Sequence, residues 1–95
     1  MRTREQEILY NQMINADGRK VIGAAILILN EIQGLNVRNQ LLGLGCAVLG
    51  LFELYGFKPQ DILGIAHNIL YDTSDEYIQK SARGFKQYLK EEWKF

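Results

Sequence analysis

Apolar residues in this chain recur at spacings of three and four instead of alternating, a pattern that favours helices over strands. The clearest example is the C-terminal stretch, where Ile78, Ala82, Phe85, Leu89 and Trp93 follow at intervals of four, three, four and four. Residues at these spacings share one face of a helix. We predict a compact all-α bundle of about five helices. Their approximate ranges are residues 4–17, 19–33, 37–55, 59–71 and 74–93.

Turn and capping residues set the expected ends of these helices. Hydroxyl and amide side chains cap the first turn, proline suits it because its missing N–H costs nothing there, and glycine ends helices in a left-handed conformation. The expected signals are capping boxes at Thr3 with Gln6 and Thr73 with Glu76, an N-cap at Asn36, Pro59 in a first turn, and helix ends at Asp17–Gly18, Gly34 and Gly56.

The second segment is ambiguous between helix and strand, because Val21, Ile22, Ile26 and Ile28 are β-branched. Helix is favoured because the run does not alternate and Ala24–Ala25 has high helix propensity. No other segment offers a strand to pair with, and an unpaired strand would leave its backbone hydrogen-bonding groups without partners.

The second and third helices lack a polar face, with apolar runs at residues 21–29 and 41–52. A helix that is apolar all round needs cover all round. Either the other three helices supply this cover, or the surplus apolar face is a subunit interface. We predict the interface, in a homo-oligomer that is a dimer by default. A stripe of small residues that allows close approach of another backbone comprises Gly43, Cys46, Ala47 and Gly50.

Chain length and composition narrow the class of protein. The 95 residues, 10.9 kDa, predict a single domain over residues 1–95. Eleven basic and eleven acidic residues exclude a strongly basic or acidic chain, and 47% apolar residues with one proline exclude intrinsic disorder. Runs of nine and twelve apolar residues are too short for a membrane span of about 20. One cysteine and a charged start without a signal sequence predict a cytoplasmic protein.

Candidate catalytic groups are isolated from one another. The single histidine, His67, has no carboxylate three or four residues away, and Cys46 lies within an apolar run that disfavours the thiolate. We expect Cys46 to be a buried small apolar residue. Asp72, Asp75 and Glu76 are expected to cap a helix. We therefore predict no enzyme, cofactor or metal site.

Charge is unevenly distributed along the second half of the chain. Residues 52–76 carry five acidic and one basic side chain, a net charge of −4, and residues 77–95 carry five basic and two acidic, a net charge of +3. The basic residues of this last stretch form a row on one helix. This row could bind an acidic protein partner or a phosphate backbone, or it could be a solvated face whose cations pair with Glu76, Glu91 or the acidic segment. Its members are Lys80, Arg83, Lys86, Lys90 and Lys94.

A helix–Gly–x–x–Pro–helix corner at residues 51–63, followed by an Asp-rich turn and a basic terminal helix, resembles small helical accessory proteins of bacteriophages. This resemblance implies a protein that binds and redirects a host or phage protein. We expect a non-enzymatic helical interaction protein that self-associates and binds a protein partner. Its second and third helices are expected to form the core. The alternative is a small nucleic-acid-binding protein that uses the basic row.

Overall fold

The structure, a computed structural model, describes residues 2–72 and 74–93. Within these ranges the chain forms five α-helices and no strand, which confirms the all-α prediction. The helices are α1 (Arg4–Ile14), α2 (Gly18–Ile32), α3 (Val37–Tyr55), α4 (Pro59–Tyr71) and α5 (Glu76–Glu92).

Several predicted caps are confirmed. Thr3 and Gln6 form a reciprocal capping box at the start of α1, and the Asn36 side chain accepts the N–H of Asn39 at 2.8 Å. Gly56 ends α3 in the left-handed region, with φ of 76°. Pro59 occupies the first turn of α4. These ends follow the sequence because each cap needs only residues within one turn of itself.

The prediction for the junction between α1 and α2 is wrong. α1 ends at Ile14, and Asp17 does not stop it but starts α2, where its carboxylate accepts the N–H of Arg19 at 3.0 Å. The side-chain amide of Asn15 donates to the carbonyl of Asn11 at 2.8 Å at the end of α1. An Asp–Gly pair between two helices can cap either one, and here the carboxylate accepts the Arg19 N–H in the first turn of the following helix.

Two other predicted helix ends differ from the structure. Gly34 is not left-handed, since Gly56 is the one glycine with positive φ in residues 2–72 and 74–93. At the start of α5, the carboxylate of Asp75 accepts the N–H groups of Tyr77 and Ile78, at 2.9 and 3.2 Å. The capping box expected at Thr73 with Glu76 involves a residue outside the described ranges.

α5 lies at the centre of the bundle and packs against both α2 and α4. α2 and α5 run parallel, because Gly18 at the start of α2 contacts Ile78 and Gln33 after its end donates to the Glu92 carbonyl at 3.3 Å. The most buried apolar side chains are Ile22 on α2, Ala82 on α5 and Phe57 in the turn after α3. The amphipathic stripe predicted for the last helix contributes to this core through the buried Ala82, and its other members are half-buried: Ile78, Phe85, Leu89 and Trp93.

The prediction that α2 and α3 form the core is wrong. α2 contributes Ile22, but the one buried residue of α3 is Gln40. Five leucines of α3 are more than half exposed: Leu41, Leu42, Leu49, Leu51 and Leu54. Apolar content alone does not bury a helix, because burial depends on which faces the turns bring together. α3 is held at its two ends and is bare along its outer side.

Candidate interaction surfaces

Side chains at both ends of α3 fix its position on the bundle. At the start, Gln40 Nε2 donates to the carbonyl oxygens of Ile32 and Gln33, each at 3.1 Å, and so caps the end of α2. At the other end, Gln6 Nε2 donates to the Tyr55 carbonyl at 3.1 Å. Gln40 replaces the glycine cap expected at the end of α2. These two contacts hold a helix whose middle has few neighbours.

The turn between α3 and α4 is clamped by the N-terminal residues. The Arg2 guanidinium lies 3.8 Å from the ring centroid of Tyr10 and donates to Asp61 at 2.8 Å. The hydrogen bond to Asp61 is the main reason that the pKa of Arg2 is raised. The Phe57 ring lies 6.4 Å from that of Tyr10, beneath the same guanidinium. The predicted helix–Gly–x–x–Pro–helix corner thus forms, with a buried aromatic residue inside it.

The small-residue stripe of α3 has no packing partner within the described chain. A Cβ added at Gly43 or Gly50 would meet no described heavy atom within 4 Å apart from its chain neighbours and the backbone of its own helix. Cys46 is exposed, so the expectation of a buried cysteine is wrong for a single copy. Ala47 is exposed as well. Close packing of this stripe inside one copy is therefore absent from these residues, and its role between copies stays a prediction.

One helix of the described chain, α3, is long and apolar enough to cross a membrane by length and composition. Polar residues shorten its apolar part, since Arg38, Asn39 and Gln40 precede it and Glu53 follows it. The twelve residues between them extend about 18 Å as a helix, against about 30 Å of bilayer hydrocarbon. α3 is thus a weak candidate for a membrane-spanning helix, and its exposed side is strongly apolar.

Two members of the basic row, Arg83 and Lys86, lie on the side of α5 next to α4. Lys80, Arg83 and Lys90 are exposed, whereas Lys86 is half-buried with Nζ 4.1 Å from the centroid of the Tyr71 ring. Arg83 and Lys86 line a shallow groove of about 190 Å³ between the two helices. Lys94 lies outside the described residues.

None of these four cations makes an ion pair within 4.0 Å in residues 2–72 and 74–93, where the ion pairs involve Arg2 and Arg19. Glu91, one expected partner, accepts the side-chain amide of Gln87 at 2.7 Å. The charge of the row is consequently not neutralised by the carboxylates expected to pair with it. Lys80, Arg83 and Lys90 are therefore accessible to a partner, whereas Lys86 packs over the Tyr71 ring.

A cleft of about 640 Å³ separates α1, α4 and the start of α5, and its acidic groups already have partners. Asp61 pairs with Arg2, and Asp75 caps α5. The Ser74 N–H donates to Asp72 Oδ1 at 2.8 Å, and this bond lowers the pKa of the Asp72 carboxyl. His67 stacks near Tyr71, with ring centroids 4.7 Å apart. In the described ranges no three His, Cys, Asp or Glu residues are placed to hold a metal ion.

No protein-family model, curated protein or solved structure matches this chain. The described residues offer two surfaces for interaction: the apolar outer side of α3 and the basic row of α5.

Proposed function

We propose that this chain is a non-enzymatic helical interaction protein that self-associates and binds an acidic protein partner through the basic row of α5. The observation that carries the proposal is the surface of a single copy, 7454 Å². A folded monomer of 10.9 kDa exposes about 5,600 Å². The surplus of about 1,900 Å² includes the apolar side of α3, a kind of surface that marks an interaction site.

Self-association would cover the apolar side of α3, and the basic row would bind the acidic protein partner. Lys80, Arg83 and Lys90 are exposed and free of ion pairs to described carboxylates, so they can meet negative charge without first breaking an internal contact. Charges arranged in this way mainly steer encounter and set specificity. The resemblance of residues 51–63 to phage accessory proteins that redirect other proteins agrees with this role.

An acidic protein is a better match than nucleic acid because the chain as a whole is not basic. Its pI of about 6.6 is well below the value above 9 that is typical of nucleic-acid-binding domains. The described part of the basic row also has only four cations, and one of them, Lys86, lies over the Tyr71 ring. This is a short row for binding a phosphate backbone. An exposed free thiol at Cys46 suits a reducing compartment, which supports a cytoplasmic location.

Charge reversal tests the basic row. We expect the K80E/K90E variant to bind poly-L-glutamate at least about tenfold more weakly than the unmodified chain, because attraction becomes repulsion at two exposed positions. The matched control is R4E/K20E, with the same charge change on exposed residues of α1 and α2, and we expect it to bind within about twofold of the unmodified chain. The fluorescence of Trp93, the only tryptophan, reports binding at the end of α5.

A DNA duplex titrated in parallel separates the alternative function. Tighter binding of the duplex, falling steeply between about 50 and 200 mM salt, would replace the acidic-protein proposal with nucleic-acid binding. Equal loss of poly-L-glutamate binding in both variants would mean that net charge, and not the basic row, governs the interaction. Absence of binding to either probe would identify the row as solvated surface.

A further inference from the structure

One stripe of α3 faces the rest of the molecule. Its members are buried or half-buried: Val37, Gln40, Leu44, Val48 and Phe52. At about 100° per residue they fall within about 120° of the helix circumference. The remaining circumference is exposed and carries three of the five exposed leucines, Leu42, Leu49 and Leu54, while Leu41 and Leu51 lie within the inward arc.

The line directly opposite this stripe is apolar and contoured. Cys46 lies about 180° from the centre of the inward stripe. Gly43 and Gly50 lie on one side of Cys46, and Leu42 and Leu49, 65% and 56% exposed, lie on the other. The outer side of α3 therefore carries two protruding leucines on one side of Cys46. On the other side it carries two glycines, which leave shallow depressions.

The surplus surface of one whole copy is large enough for a stable dimer interface. A specific interface buries about 800 Å² on each partner. The surplus surface of one copy, about 1,900 Å² over the size expected for its mass, exceeds this amount. The radius of gyration is 14.5 Å, whereas a compact chain of this length has about 12 Å. This extended shape agrees with a single copy that lacks a partner copy.

We propose that α3 of a second copy covers this face, with the two helices antiparallel about a two-fold axis at Cys46. The inference rests on the proposed self-association and adds its surface, direction and register. Cys46 is the middle residue of α3, so this register overlaps the two helices along their whole length. The arrangement is isologous and closes at two copies.

Antiparallel pairing at this register brings like residues together. Each side of the seam in one copy faces the same side in the other, so Gly50 of one copy lies next to Gly43 of the other, and Leu42 next to Leu49. The paired glycines let the two backbones approach closely, and the paired leucines pack beside them. In a parallel pair the leucines of one copy would instead lie against the glycines of the other, so the close approach of the two glycine sites belongs to the antiparallel direction.

Charge favours the same direction. Arg38 and Glu53, near opposite ends, are the only charged residues of α3. Antiparallel pairing brings Arg38 of each copy to the level of Glu53 of the other, whereas parallel pairing places the two Glu53 carboxylates side by side. The dipoles of antiparallel helices also oppose each other favourably.

Two glycine variants test the surface by sedimentation equilibrium. We expect Gly50→Leu to weaken dimerisation about tenfold or more, because the new side chain holds apart the two backbones that Gly50 and Gly43 of the second copy allow to approach. The matched control is Gly45→Leu on the same helix, about 100° away from Cys46. An added Cβ at either position meets no described heavy atom within 4 Å, so both variants should fold normally. We expect the control to dimerise within about twofold of the unmodified chain.

Disulfide cross-linking tests the register, since Cys46 is the only cysteine. Helix axes about 9–10 Å apart place facing Cα atoms about 4.4–5.4 Å apart, within the range for a disulfide. Diamide takes two electrons and two protons from two thiols and should yield a disulfide-linked dimer. In the C46A/G50C variant the two thiols lie about 12 Å apart along an antiparallel pair, and we expect no cross-link.

The outcomes separate this inference from the proposed self-association. A dimer that does not cross-link at Cys46, or that cross-links equally in C46A/G50C, overturns the antiparallel register and leaves self-association standing. A dimer weakened equally by both glycine variants assigns the interface to another surface. A chain that stays at 10.9 kDa at all concentrations overturns both proposals, and flotation of that monomer with phosphatidylcholine vesicles would assign the α3 face to lipid.

Discussion

Gln40 joins two helices through a single side-chain amide. It is the one buried polar residue among those that the structure describes, at 7% exposure, and its two hydrogen bonds occupy the last carbonyls of α2. A buried carbonyl without a donor is costly, so this amide stabilises both the end of α2 and the start of α3.

We expect Gln40→Met to lower the free energy of unfolding by about 1–3 kcal/mol, because methionine fills similar space and donates no hydrogen bond. Gln12→Met is the control: Gln12 is exposed on α1, and its replacement should change stability by less than about 0.5 kcal/mol. Urea unfolding at one fixed protein concentration measures both variants, because stability of an oligomer depends on concentration. Equal stability of Gln40→Met and the unmodified chain would show that water caps α2 equally well.

Local signals predicted the caps that depend on neighbouring residues, such as Thr3, Asn36 and Gly56. The role of Gln40 could not be predicted in this way, because its acceptors belong to the preceding helix and are reached only after the chain reverses at residues 33–36. Gly34 was predicted to cap α2 because it directly follows the helix. A cap supplied by another helix, as Gln40 supplies here, leaves no signal in the neighbouring sequence. One available signal was a glutamine at the edge of an apolar run.

The parallel packing of α2 on α5 depends on a small residue at the first position of α2. A Cβ at Gly18 would lie 3.0–3.2 Å from three side-chain atoms of Ile78, tighter than ordinary contact. Gly18 is itself buried. The absence of a side chain here lets the two helices approach at their N-terminal ends.

Replacing this glycine should therefore separate the two helices. We expect Gly18→Leu to lower the free energy of unfolding by about 1–3 kcal/mol through overpacking. Gly23→Leu on the same helix has no described atom within 4 Å of the added Cβ, and we expect no loss of stability. Thermal unfolding of the two variants gives the comparison, and similar melting temperatures would argue against close packing at Gly18.

The five helices follow from periodicity and turn residues, but their packing does not. Apolar content suggested a core of α2 and α3, yet the structure places α5 at the centre because its narrow apolar stripe faces two neighbours at once. Ala82, small and 2% exposed, allows this close approach. The turns between helices determine which helix faces meet. Because all the turns contribute, the packing cannot be predicted from any one segment of the sequence.

The whole molecule combines a small core with an unusually large surface. Its dimensions of 42 × 33 × 17 Å describe a flattened shape, in which α3 borders the bundle without being enclosed by it. Both proposed functions arise from this shape: the outer side of α3 offers apolar area, and α5 carries charge near the α4 groove. The sequence predicted the surplus of apolar surface and the basic row, but not that Lys86 would be held by Tyr71.

One copy leaves the outer side of α3 uncovered, and we propose that a second copy covers it. Light scattering coupled to size-exclusion chromatography at micromolar loading measures the mass of the assembly. We expect a molar mass of twice the 10.9 kDa chain. A single species at the mass of one chain, unchanged as the loading concentration rises, would overturn the proposed self-association.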